Sequence, residues 1–165
     1  IYSMIEEYDE NSDDLTADED LALKMNSVIN QIQNEICRMK KLPAYMMRRA
    51  EVHNFYNENL KQFSWIELPP VLPDYVETSY YFYHVQIKNG KRDQFAKFLR
   101  ENGIYTTYRY YPLHRVPGYG VTGNFPNADY AADHTLNLPM HQSISDKELV
   151  YIIEKVKEFD EKYCK

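Results

Sequence analysis

Apolar residues recur in steps of three and four between Leu21 and Lys40, at Met25, Val28, Ile29, Ile32, Ile36 and Met39. This spacing predicts a helix with one buried stripe. Pro43 is expected to break the chain and to open a second helix, because proline is tolerated in a first turn. That helix is read to about Leu60, with Met47, Val52, Phe55 and Leu60 inward. Arg48 and Arg49 near its start oppose the helix dipole. Simple solvation is one reading of the pair, and a separate use for one of them is the other.

Further along, Phe63 to Leu68 alternates and is closed by Pro69-Pro70, which predicts a short strand. Val71 to Thr78 is a connector. Ser79 to Ile87 carries the strongest strand pattern, with Tyr81, Tyr83, Val85 and Ile87 on one face and Tyr80, Phe82, His84 and Gln86 on the other. Asn89-Gly90 is a turn signal before a helix over 91–102 that buries Phe95, Phe98 and Leu99. Asn102-Gly103 ends it, with glycine at the left-handed cap. Ile104 to Tyr111 is β-branched and aromatic and reads as a strand. Pro112 to Asn124 is a loop, Ala128 to His134 a short helix and Thr135 to Leu138 a short strand. Ser145 followed by Glu148 is a capping-box pattern. The helix it opens turns Leu149, Ile152, Ile153, Val156 and Phe159 inward. The order of elements predicts an α+β fold, a small and mostly antiparallel sheet with helices on one face.

Charge changes the picture at one end. Residues 1–20 hold nine acids and no base, so the net charge of −6 is an uneven average. The remainder holds 19 bases against 16 acids, a net of +3. Residues 1–20 are therefore read as a solvated acidic arm or loop, and 21–165 as one domain. The body is too weakly basic, and its Lys and Arg too scattered, for nucleic-acid binding. No apolar run approaches a membrane span, and no signal peptide is visible. Opening on Ile1, the chain is expected to be a piece of a longer or processed protein. Cys37 and Cys164 are lone thiols without metal-ligand spacing, which favours a reducing, cytoplasmic setting without a structural disulfide.

Enzyme signatures are sparse: there is no G-x-G-x-x-G, P-loop, H-E-x-x-H or nucleophile elbow. His114 and His141 lie in loops beside proline, where histidines are more often functional. His53 is read as a helix-surface residue, His84 as strand packing and His134 as a helix-end cap. Arg109 interrupts the aromatic run TTYRYYP, where a charge needs a partner. Its fork suits a carboxylate or phosphate, flanked by Tyr108, Tyr110 and Tyr111. Strand alternation would equally place it on a solvated face. Arg115 is a second candidate of the same kind. The 16 tyrosines are read mainly as half-buried strand residues, with a sugar site or an interface as the other use.

Five pieces in order carry a family resemblance. They are the segment LALKMNSVINQIQNEICRMKKLPAYMMRRAEVHNFYNENL, the strand SYYFYHVQI, the run GIYTTYRYYPLH, the stretch FPNADYAADHTLNLPMH and the capping box SDKE. Together, from about Leu21 to the C-terminus, they resemble the C-terminal small domain of the DegT/DnrJ/EryC1/StrS family of pyridoxal-phosphate sugar aminotransferases. The resemblance implies the small domain of a fold-type-I enzyme. It implies amino transfer from glutamate or glutamine to a keto-sugar carried on a nucleoside diphosphate. The Schiff-base lysine would lie in a large domain outside these residues, so no lysine here is nominated for it. A homodimer with a shared active site is implied as well. Arg109, His114, Tyr110, Tyr111 and Arg115 are then the candidates for substrate binding. The family's G-x-N-x-R-M segment reads DLALKM here, with Ala22 for the Asn and Lys24 for the Arg. Lys24 is accordingly the candidate to meet the cofactor phosphate as a point charge. Two other readings stay open: a non-catalytic dimerisation or partner-binding domain of the same fold, and a carbohydrate-binding module on the tyrosine-rich strands.

Overall fold

The computed structural model describes residues 15–165, and side chains from residue 18 onward. The chain divides into two units, Ile1–Pro43 and Ala44–Lys165. Of the acidic arm, residues 1–14 lie outside the described residues. Residues 15–20, expected in an arm or loop, instead begin helix α1 (Leu15–Leu60). Asp18 stands in its first turn, where an acid complements the helix dipole.

In the first unit the predicted helix forms, but its stripe is not buried. Met25, Ile29, Ile32, Ile36 and Met39 are all exposed. Periodicity sets which residues share a face, and burial further requires something to cover that face. Pro43 also differs from expectation, because α1 runs through it. A proline removes one backbone donor and costs about 3 kcal/mol inside a helix. The good helix formers on either side, Met39 to Leu42 and Met46 to Glu51, outweigh that local cost.

The second unit holds a three-stranded antiparallel sheet in the order β1-β2-β3 (β1 Ile66–Glu67, β2 Tyr83–Ile87, β3 Thr135–Leu138). Its register pairs Tyr83 with Leu138, Val85 with Leu136, and Ile66 with Ile87. The helices are α2 (Arg92–Glu101), α3 (Pro126–His134) and α4 (Asp146–Tyr163). The alternation read in β2 holds: Tyr83, Val85 and Ile87 are fully buried. His84 is exposed rather than packed. From the last turns of α1, Val52, Tyr56 and Leu60 enter the same core, while Met47, expected inward, is exposed. Phe95, Phe98 and Leu99 of α2 and the five predicted residues of α4 complete it. Trp65 sits among Phe95 and Phe159, with ring centroids 5.1 and 5.4 Å away, and its indole N–H donates to Asp160 at 2.7 Å.

Three strand expectations shrink. Phe63, Trp65 and Ile66 are all buried, so the alternation of 63–68 fails and only two residues pair. The strand read from Ser79 begins at Tyr83, because Tyr80 adopts φ +47° and leaves the extended region. Ile104 to Tyr111 makes a single bridge, Thr107 to Asn137. Tyr105, Tyr108, Tyr110 and Tyr111 are exposed, and aromatic strand propensity is realised only where a neighbouring layer covers the rings. By contrast, Gly103 takes the predicted left-handed cap at φ +75°, and the capping box of α4 forms with both bonds in place.

Candidate functional site

The bridge at Thr107 places the residues after it along the edge of β3. Thr107 and Asn137 exchange two backbone hydrogen bonds of 3.2 and 2.9 Å, and the buried Asn137 amide donates to Thr107 Oγ1 at 3.3 Å. Beyond this anchor the chain runs along the rim of a cavity of about 630 Å³. Its walls include Tyr81, Phe82, Tyr105, Arg109, Asn137, His141, Glu148 and Tyr151. That volume lies within the range of small-molecule sites.

Of the predicted site residues, Arg109 lines this cavity. Its guanidinium carbon lies 5.9 Å from the ring centroids of Phe82 and of Tyr110. Among the described residues it has no hydrogen-bond or ion-pair partner. The cation is held by aromatic faces and its donors remain unspent. Tyr110 and Tyr111 are exposed beside it, at 70% and 67%.

His114 and Arg115 have another setting. His114 lies in a single turn, Leu113–Arg115, stacks on Phe125 and contacts Asp129 Oδ1 through Nε2 at 2.8 Å. Arg115 donates through Nε to Asp129 at 2.7 Å and, through its two terminal nitrogens, to Asp133 at 2.8 and 3.0 Å. Contact with His114, then with Arg115, holds the Asp129 carboxyl below the usual range, and Arg115 does the same to Asp133. The two acids share one face of α3, four residues apart. The structure thus joins Arg109 with Tyr110, and His114 with Arg115. No contact among the described residues links the two groups.

Glu148 brings a negative charge to the cavity wall. Its carboxylate accepts from the Ser145 backbone at 2.8 Å and the Ser145 hydroxyl at 2.7 Å, which pulls its pKa down. Sequence reading found this glutamate as a cap and missed it as a wall residue. Asn137 and Tyr151 were missed too. An amide inside the apolar strand LNLP was the available signal for Asn137. His141 lines the cavity, is exposed, and accepts from Ser143 N–H at 3.2 Å.

Lys24 belongs to the first unit and pairs with Asp20 at 2.9 Å. His/Cys/Asp/Glu clusters fit to hold a metal are absent among the described residues. Both cysteines are free thiols. No described helix is long and apolar enough to cross a membrane.

Residues 9–157 match the DegT/DnrJ/EryC1/StrS aminotransferase family. A curated relative, the dTDP-4-dehydro-2,3,6-trideoxy-D-glucose 4-aminotransferase of Saccharopolyspora spinosa, is 44% identical over 112 residues, covering 68% of this chain and 29% of the relative. Among solved structures, the aminotransferase TlmJ from Streptoalloteichus hindustanus superposes with a TM-score of 0.72 at 39% identity, over 74% of this chain and 33% of TlmJ. The PLP form of Spr1654 from Streptococcus pneumoniae gives a TM-score of 0.69 at 25% identity, over 77% of this chain and 34% of its own. The chain therefore spans about a third of the length of the proteins it matches. The α+β fold read from the sequence is the fold of these neighbours. This chain belongs to the DegT/DnrJ/EryC1/StrS aminotransferase family.

Proposed function

We propose that residues 21–165 are the C-terminal small domain of a PLP-dependent sugar aminotransferase. In this reading the enzyme transfers an amino group from glutamate or glutamine to a nucleotide-linked keto-sugar, as a dimer with a shared active site, in the cytoplasm. The Schiff-base lysine lies in a large domain of the same protein. The observation that carries the reading is Arg109, an exposed guanidinium on a cavity wall, flanked by aromatic faces and with no anion of its own among the described residues. The fork matches a carboxylate or phosphate in two parallel bonds. Glu148 also lines this cavity and gives it a charge of each sign. That suits a ligand carrying both a carboxylate and an ammonium, as an amino donor does.

In this reading Arg109 binds and orients the anionic group, and Tyr110 and Tyr111 flank it. Arg115 uses its fork on Asp129 and Asp133 and so fixes the loop that follows Arg109. His114 retains Nδ1, which has no partner among the described residues, to reach a substrate hydroxyl or carboxylate. The cofactor, when bound, supplies the electron sink for amino transfer. Lys24, in the family's Arg position, would meet the cofactor phosphate as a point charge. The test is amino transfer by the whole protein from 15N-glutamate to a dTDP-linked keto-sugar, followed by mass spectrometry of the sugar product. Incorporation of label supports the proposal. A protein that retains no PLP and transfers no label would favour the non-catalytic partner-binding reading.

A further inference from the structure

A second cavity, of about 410 Å³, opens on the second unit and shares only Phe82 with the first. Its chemistry is different. Among the described residues that line it, Asp74 is the one formal charge, and there is no lysine or arginine. An anionic ligand would find no cation there. The polar groups are two histidines, His53 and His84, with Asn54, Asn57 and Thr78.

The network around His53 sets the direction of its donors. Tyr83 donates its hydroxyl to Asn57 Oδ1 at 2.7 Å, which turns the Asn57 amide nitrogen toward His53 Nδ1 at 3.2 Å. Nδ1 is then the acceptor, and the neutral ring carries its proton on Nε2. Burial, reinforced by His84 and opposed by the Asn54 side chain, keeps His53 below the usual histidine range and so neutral. His53 therefore offers the cavity a neutral donor, beside Asp74 as the one formal charge.

Tyr80 supplies an aromatic face. Its ring meets that of His53 edge-on at 5.2 Å. Its backbone sits at φ +47°, an uncommon conformation for a bulky residue. Strain of this kind persists where surrounding structure enforces it, and it clusters at ligand sites. Pro69, Pro70 and Pro73 also line the cavity, and each fixes its own backbone φ.

A sugar ring presents an apolar C–H face for stacking and a belt of hydroxyls that need neutral donors and acceptors. We propose that the cavity walled by His53, Tyr80 and His84 binds a neutral sugar ring, separately from the anion-binding wall at Arg109.

The test is proton NMR of the five histidine rings during titration with methyl α-D-glucopyranoside and, separately, methyl α-L-rhamnopyranoside, on the purified protein. The expected result is a saturable shift of the His53 and His84 resonances with at least one of them, with His114 and His134 unmoved. Tyr80→Gly removes the ring and accepts the positive φ without strain. It should weaken the sugar roughly tenfold. No saturable shift with either pyranoside overturns the proposal. So does binding that Arg109→Ala abolishes and Tyr80→Gly spares, or competition by inorganic phosphate.

Discussion

Arg109 and Arg115 are six residues apart on one loop-bound stretch, and the sequence around each is similarly rich in tyrosine and proline. Their fates differ. Arg115 spends its fork on two carboxylates of α3, whereas Arg109 rests against Phe82 and Tyr110 on a cavity wall with no carboxylate among the described residues. An arginine already paired within its own chain stabilises a loop. One presented unpaired against aromatic faces is available to a ligand. Charge and residue type are the same in both cases, and the partner decides between structure and binding.

The sharpest way to break this comparison is to remove the unpaired guanidinium. Arg109→Ala should weaken an anionic substrate about 10- to 100-fold, the loss expected for a charge-assisted bond pair. Its melting temperature should stay within a degree or so of the parent protein's. Binding is read by calorimetry with glutamate and with the dTDP-sugar, each against the whole protein. If Arg109→Ala costs stability and leaves both affinities unchanged, its unpaired state is without consequence and the two arginines are alike.

Much of this contrast was hidden from the sequence for a physical reason. The partners of Arg115 lie 14 and 18 residues ahead, across a loop whose path is set by tertiary packing. The acids four apart in NADYAADH were the available trace. Arg109 stood out because a charge interrupts an aromatic run, yet the strand supposed to carry it reduces to one bridge at Thr107. Local information served best where elements are self-contained. The α4 stripe, its capping box and the Gly103 cap all appear as read, since each depends on residues within one or two turns. The 21–39 stripe shows the opposite. Its helix forms, but the sequence could not say what covers Met25, Ile29, Ile32, Ile36 and Met39, and within the described residues they are exposed.

Acid sharpens the comparison from the side of Arg115. Asp129 and Asp133 titrate below the ordinary carboxylate range in the folded protein, through His114 and Arg115 for the first and Arg115 for the second. A carboxyl depressed in the fold contributes stability that is fully present above its unfolded value, about 4, and is lost as pH falls through the folded value. Asp129→Asn should therefore lower the melting temperature by a few degrees at neutral pH. The gap from the parent protein should close as the solution is taken below the carboxylate range. Arg109→Ala, with no such partner, should show no pH-dependent gap. Thermal melts at several pH values separate the two. A gap for Asp129→Asn that persists undiminished in acid would mean that the cluster's contribution is packing rather than charge.

The smallest expected effect lies at the far wall of the cavity. Ser145 accepts the Glu148 N–H at 3.3 Å, and Glu148 accepts the Ser145 N–H at 2.8 Å, so each side chain satisfies an orphan donor at the start of α4. Ser145→Ala deletes the first of those bonds and also the hydroxyl's bond to the Glu148 carboxylate, and should cost about 1 kcal/mol. For a protein of this size that is a fall of roughly 2–4 °C in melting temperature. Glu148 keeps its charge and its backbone bond in the variant, so the sign of the cavity wall is preserved. Affinity for an anionic substrate should then stay within about twofold of the parent value, below the resolution that matters on a scale of 1.4 kcal/mol per tenfold. A larger loss of affinity at so small a loss of stability would show that the capping box positions the wall facing Arg109. The line between a residue that binds and one that holds the fold would then run through α4 as well as through the loop.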